Sequence, residues 1–117
     1  MGKKKGFHLS NMNYRYMRTI LFFDLPMVTK TDLKSYRHFV RDLKRIGFYM
    51  LQESVYVKMS LNMQIVDTTI ARIKIFAPKK GSIICVTLTE KQFSSMDILI
   101  GENKTDVLCT DSKVVIL

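Results

Sequence analysis

The apolar and polar positions of the chain fall into alternating blocks of two periods. Residues 17–23 (Met-Arg-Thr-Ile-Leu-Phe-Phe) are nearly continuously apolar, β-branched or aromatic. That pattern predicts a strand buried on both faces, and therefore central in a sheet. It stops at Asp24-Leu25-Pro26, because Pro26 has no N–H to offer a ladder. Thr29 then provides an N-cap hydroxyl and Asp32 an acid in the first turn of a predicted helix. The apolar set of that helix, Leu33, Tyr36, Val40, Leu43 and Ile46, recurs at three- and four-residue steps, and Gly47 supplies the stop. Residues 48–58 are β-formers interrupted at Gln52-Glu53-Ser54. Two strands meeting at a tight corner account for this best, with one long bent strand as the alternative. Ser54, Tyr56 and Lys58 then share one face, and Val55 and Val57 the other.

A second helix is predicted from an Asn62 cap through about residue 76, with Ile65, Val66, Ile70 and Ile73 as its inner stripe. Ala77-Pro78-Lys79-Lys80-Gly81 breaks it, and residues 82–89 (Ser-Ile-Ile-Cys-Val-Thr-Leu-Thr) form another buried strand. A turn-rich stretch, a short strand over 97–100 and a polar loop follow. The chain then runs out in Val114, Val115, Ile116 and Leu117. An apolar, β-branched end of that kind is an aggregation hazard when exposed, so it is expected to dock against something. The order β-α-β-β-α-β predicts an α+β, ferredoxin-like fold: an antiparallel sheet with two helices on one face. Residues 1–16 read as a basic N-terminal arm and residues 17–117 as a single domain.

Charge narrows the function more than the fold does. Among 117 residues there are 19 Lys and Arg against 10 Asp and Glu, a net charge of +9. Such an excess favours a polyanion, either nucleic acid or an anionic membrane surface, without choosing between them. No apolar run approaches the ~18–20 residues of a spanning helix. The basic start, Lys3-Lys4-Lys5, is followed by no apolar core, so export is not expected. Cys85 and Cys109 have neither metal-type spacing nor numbers enough for a disulfide framework, consistent with a reducing, cytoplasmic setting.

The cations are not scattered. At 100° per residue, Lys30, Lys34, Arg37, Arg41, Lys44 and Arg45 fall on the polar face of the first helix. A merely solvated face would intersperse acids for i,i+4 pairing, and only Asp32 and Asp42 are available there. With Arg15, Arg18, Lys79 and Lys80, these residues suit phosphate-backbone contacts that read shape rather than sequence. No Cys/His cluster, Gly-rich phosphate loop or nucleophile elbow is present, and His38 beside Arg37 reads as solvated or packed. Asp24 stands apart, since it terminates the first strand at a sheet edge. It would cap a loop or the next helix, or, paired with a second Asp24 across a two-fold axis, it would hold magnesium.

Three segments together resemble a known family. They are Arg18-Thr19-Ile20-Leu21-Phe22-Phe23-Asp24-Leu25-Pro26, then Gly47-Phe48-Tyr49-Met50-Leu51-Gln52-Glu53-Ser54-Val55-Tyr56, and Pro78-Lys79-Lys80-Gly81 with Leu88-Thr89-Glu90-Lys91-Gln92-Phe93. Their order is similar to that in the CRISPR-associated protein 2 family, in its type II-A form. The resemblance implies a homodimer whose C-terminal strand, here Val114, Val115, Ile116 and Leu117, crosses to the other subunit's sheet. It implies a place between two dimers of the CRISPR integrase (the CRISPR-associated protein 1 family), holding a double-stranded DNA prespacer for insertion into the repeat array. It also implies the alternative of a Mg2+-dependent endonuclease on single-stranded RNA or double-stranded DNA, with Asp24 as metal ligand and catalytic residue. Met50 departs from the arginine that some nuclease members carry. An RNA-recognition module would want an aromatic and glycine signature, and a single-strand transposase a His-hydrophobic-His motif; neither is present.

Overall fold

The computed structural model describes residues 16–100, and within them local sequence rules decide most element boundaries. Strand β1 spans Met17–Asp24 and helix α1 spans Lys30–Arg45. The Thr29 hydroxyl accepts from the Asp32 amide while the Asp32 carboxylate accepts from the Thr29 amide, a reciprocal capping box. Gly47, at φ +106°, lets the chain reverse after α1. The corner expected at Glu53-Ser54 separates β2 (Tyr49–Gln52) from β3 (Val55–Ser60), with Ser54 at φ +65°. Asn62 caps α2 (Met63–Phe76) by accepting from the Ile65 amide, and β4 follows over Ser82–Thr89.

The four strands form one antiparallel sheet in the order β2-β3-β1-β4, the ferredoxin-like arrangement. Leu21, Phe23 and Tyr56 face the two long helices and pack with Phe39 and Leu43 of α1 and Ile73 of α2. Phe39 is 1% exposed, although the apolar stripe named from the sequence passed over it. On α2, Thr69 rather than Ile65 joins Val66 and Ile73 in the core, because its hydroxyl is satisfied by the Ile65 carbonyl at 2.8 Å.

Three expectations need correction. Residues 89–94 are not merely turn-rich: Thr89 and Gln92 form a second capping box that starts the short helix α3 (Glu90–Ser94). Phe93 of α3 folds over the sheet face opposite the long helices and closes a second apolar cluster with Ile20, Leu51 and Val57. Residues 97–100 are not a strand, since only Ile98 makes an isolated bridge there. In addition, β1 is interior in the sheet but not covered on both faces. Beyond the reach of α3, Phe22 is 43%, Ile84 60% and Val86 41% exposed, and the β1–β4 register puts all three on the same side. Arg15 and residues 114–117 lie outside the described residues.

Candidate nucleic-acid interface

Helix α1 displays what its spacing predicts. Lys30, Lys34, Arg37, Arg41, Lys44 and Arg45 are all exposed along its 16 residues, a length of about 24 Å at 1.5 Å per residue. Its two acids do not neutralise the face. Asp32 is taken up in the cap, where the Thr29 backbone amide holds its carboxyl below the usual carboxylate range, with Lys80 contributing a weaker Coulombic pull. Asp42 draws in Arg41 at 3.2 Å and Arg45 at 3.6 Å. Among the described residues, Lys30, Lys34, Arg37 and Lys44 have no acidic partner within 4 Å.

Arg18 is placed differently from the other predicted cations. Its guanidinium donates two bonds to the Glu90 carboxylate, at 2.7 and 3.0 Å, and lies 4.5 Å over the Phe93 ring. With side-chain exposures of 17% and 23%, this pair holds α3 onto the sheet, and its donors are directed at the protein. Its location, on the sheet face opposite the long helices, separates it from the α1 array.

Asp24 is exposed at the last position of β1 and is set by its neighbours. The preceding Phe23 ring is fixed against Phe39 edge-on at 5.1 Å and stacked on Tyr56 at 5.6 Å. Its amide donates to the Ser54 carbonyl at 3.0 Å, and Ser54 is tied by its hydroxyl to Tyr36 at 3.2 Å. On the other side Gly81, at φ +98°, comes so close that a Cβ there would sit 2.6 Å from the Asp24 carbonyl oxygen. Strand alternation puts Asp24 on the same face as Phe22, the partly uncovered one. Tyr56, which follows Ser-Val in the resemblance, is a buried core ring. Burial pushes the Cys85 thiol up, as suits a packed side chain.

Past the end of β1, a cleft of about 350 Å³ opens between Leu25 and Pro26, the first turns of α1, and the loop carrying Pro78, Lys79 and Lys80. The fold thus brings the lysine pair, the start of the basic helix and the end of β1 into one neighbourhood. A second cleft of about 430 Å³ lies between the end of α1, β3 and α2, and Lys58 and Arg72 line it. Neither was singled out from the sequence, where the only signal was the polar series Gln64, Thr68 and Arg72 at four-residue steps.

No three His, Cys, Asp or Glu residues cluster for a metal among the described residues. Asp24 alone offers one carboxylate, and a magnesium site draws on one or two with waters and phosphates. A second copy apposed on the Asp24 face would supply the other. Among the described residues no helix is long and apolar enough to cross a membrane.

Comparison with known proteins agrees with this architecture. Residues 17–96 match the family model for CRISPR associated protein Cas2. A protein from Treponema denticola named CRISPR-associated endoribonuclease Cas2 is 43% identical over 101 residues, 86% of this chain and all of the relative. A protein of the same name from Streptococcus mutans is 46% identical over 86% of this chain and 93% of its own length. Another from Ligilactobacillus salivarius is 39% identical over 86% of this chain and its entire length. With the βαββαβ order, the acid ending β1 and the Ser-Val-Tyr corner all in place, the chain belongs to the CRISPR-associated Cas2 family.

Proposed function

We propose that this chain is a structural DNA-binding subunit of the CRISPR spacer-acquisition complex, bridging integrase dimers and holding the prespacer duplex for integration into the CRISPR array. The observation that carries this reading is the α1 surface: six exposed cations in 16 residues, of which one acid, Asp42, engages two. A face of that kind matches a run of phosphates and carries no base-reading group, as suits a subunit that accepts duplexes of any sequence. Lys79 and Lys80 extend it past the N-terminal end of α1.

The uncovered side of the sheet supports a homodimer in this role. Phe22, Ile84 and Val86 form an apolar patch next to an eight-residue edge strand, β4, whose outer backbone groups have no strand partner among the described residues. Exchange of the C-terminal strand, with Val114, Val115, Ile116 and Leu117 pairing on the other copy, would cover it. Two copies carry +18, so duplex binding should fall steeply with salt.

A second reading is a Mg2+-dependent endonuclease, favoured by the exposure of Asp24 on that same face and by the endoribonuclease names of the relatives. A bound Mg2+ would polarise a phosphodiester and activate water. Two copies of this chain would contribute one Asp24 carboxylate each as ligands, with the Lys79-Lys80 loop as a holder of phosphate.

Spacer integration in vitro, with purified integrase, a short duplex and repeat DNA, tests the proposal. Arg37→Glu/Arg41→Glu should abolish integration and weaken duplex binding, whereas Asp24→Ala should integrate as wild type does. Full integration by the charge-reversed protein refutes the scaffold reading. Loss of integration by Asp24→Ala, with dimer and duplex binding intact, replaces it with metal chemistry at Asp24.

A further inference from the structure

We propose that the cleft between the end of α1, β3 and α2 is a second phosphate-binding site for the nucleic-acid backbone, with Arg72, Lys58 and Gln64 as its donors. This rests on the DNA-binding reading above and extends it to a surface that the α1 face does not include.

Two cations, Lys58 and Arg72, line this cleft, and no acid among the described residues lines it. Among the described residues neither has a carboxylate within 4 Å. The bonding of Lys58 is a long contact of 3.5 Å to the Met59 carbonyl, and its ammonium packs about 3.4 Å from where a Gly47 Cβ would be. Two like charges facing one cleft repel, and an anion between them relieves that repulsion. No comparable relief comes from the described residues.

Donor counting narrows the ligand. The Thr68 hydroxyl donates to the Gln64 carbonyl at 3.0 Å and the Thr69 hydroxyl to the Ile65 carbonyl at 2.8 Å, so both protons are already committed along α2. The remaining donors are the Arg72 guanidinium, the Lys58 ammonium and the Gln64 amide, a set suited to phosphoryl oxygens. Among the described residues no aromatic ring lines the cleft to stack a base; its apolar walls are the aliphatic side chains of Ile46 and Ile65. The ligand is therefore a phosphodiester and not a nucleobase. Ile46 directly follows Lys44 and Arg45, so the cleft continues the cationic track of α1 around the end of that helix. That continuity favours a backbone already lying on α1 over a free phosphate ion.

The test uses the full chain with a random-sequence DNA duplex, measuring affinity across a salt series. Each phosphate neutralised contributes about 0.9 to the slope of log K against log salt. Arg72→Gln should lower that slope by about 0.9, and Lys58→Gln by a similar step, while Lys91→Gln on α3 should leave it unchanged. Arg72 is exposed on α2, so its variant should fold even if loss of the Lys58 packing against Gly47 destabilises the other. Slopes equal to wild type in both cleft variants, with Arg37→Gln/Arg41→Gln still lowering it, overturn the cleft and leave the α1 reading standing. A wild type with no salt-dependent duplex binding overturns both. A second arm follows the Arg72 Nε–H resonance during titration with inorganic phosphate. A shift there, with a salt slope indifferent to Arg72, would assign the cleft to free phosphate and also overturn the proposal.

Discussion

Gly81 is the residue whose replacement should disturb Asp24 most while leaving every charge in place. A Cβ at this position would lie 2.6 Å from the Asp24 carbonyl oxygen, 2.8 Å from Leu25 Cδ2 and 3.1 Å from Leu25 Cα. Two of these are backbone atoms, one in the β1–β4 ladder opposite Ser82 and the other in a buried residue. Neither moves freely. The cost of Gly81→Ala therefore has two parts: about 1–3 kcal/mol for a non-glycine residue at φ +98°, and about 1–3 kcal/mol for overpacking. Gly47 separates them. It has nearly the same φ, +106°, but its Cβ would meet the flexible end of Lys58 at 3.4 Å and nothing tighter. Gly47→Ala should bear the conformational part alone, and the gain from a stiffer unfolded chain is common to both substitutions.

Urea unfolding at one fixed protein concentration reads the difference, since dimer formation would couple stability to concentration. With a slope of about 1–3 kcal/mol per molar urea, a total loss of about 3 kcal/mol moves the Gly81→Ala midpoint down by about 1–3 M. Gly47→Ala should move it by roughly half as much or less. Gly81→Asn should still lower the midpoint, though by less than Gly81→Ala, because asparagine tolerates positive φ better but still carries the Cβ. Equal midpoints for Gly47→Ala and Gly81→Ala would refute the claim that close approach to Asp24 fixes the end of β1.

Three further outcomes are expected. Thr19 is fully buried and its hydroxyl has no hydrogen-bond partner among the described residues, so Thr19→Val should stabilise the fold by about 1 kcal/mol, read as a rise in thermal midpoint. Glu90→Gln should release α3 by breaking a charge-assisted pair with Arg18, costing about 1–3 kcal/mol and raising amide exchange in residues 90–94, while the salt slope of duplex binding stays as in wild type. Asp32 has a depressed folded pKa, so its stabilisation is present above the usual carboxylate range and is lost as pH falls through the folded value. Thermal midpoints of wild type should therefore fall toward those of Asp32→Asn below about pH 4.

Where one or two side chains decide a boundary, the sequence was a sufficient guide. Thr29 and Asp32 start α1, Gly47 ends it, Asn62 starts α2, and the strand over 82–89 was expected at its observed limits. The basic face of α1 was equally legible, because it follows from spacing alone. Helix α3 was not. Its signal is a Thr89–Gln92 capping box followed by less than two turns, and its stability comes from Phe93 and the Arg18–Glu90 pair, which join residues 72 positions apart. The same distance in sequence explains why Arg18 read as one more surface cation. That Lys58 and Arg72 line one cleft is likewise a matter of how α2 lies on β3, which no local pattern encodes.

The strand β1 carries a different kind of information. Its composition predicts burial on both faces, and in a single chain that holds as far as Ile20, where α3 ends its cover. At Phe22 the pattern and the structure part, and they part together with Ile84 and Val86 on the neighbouring strand. A random excess of apolar residues would not align across two strands in register and stop at an acid. Strand sequences are selected for the surroundings of the working assembly, so aligned apolar positions exposed in one chain point to a surface that another chain covers. If a second copy is that cover, Phe22 is its centre and Asp24 lies two residues from the contact, close enough for both carboxylates to approach the axis. The scaffold and the nuclease readings therefore share one structural premise and differ in what Asp24 does once the faces meet. Phe22→Glu tests the premise itself. It should yield a monomer by light scattering, with integration lost, whereas a dimer of unchanged size would remove the support for both.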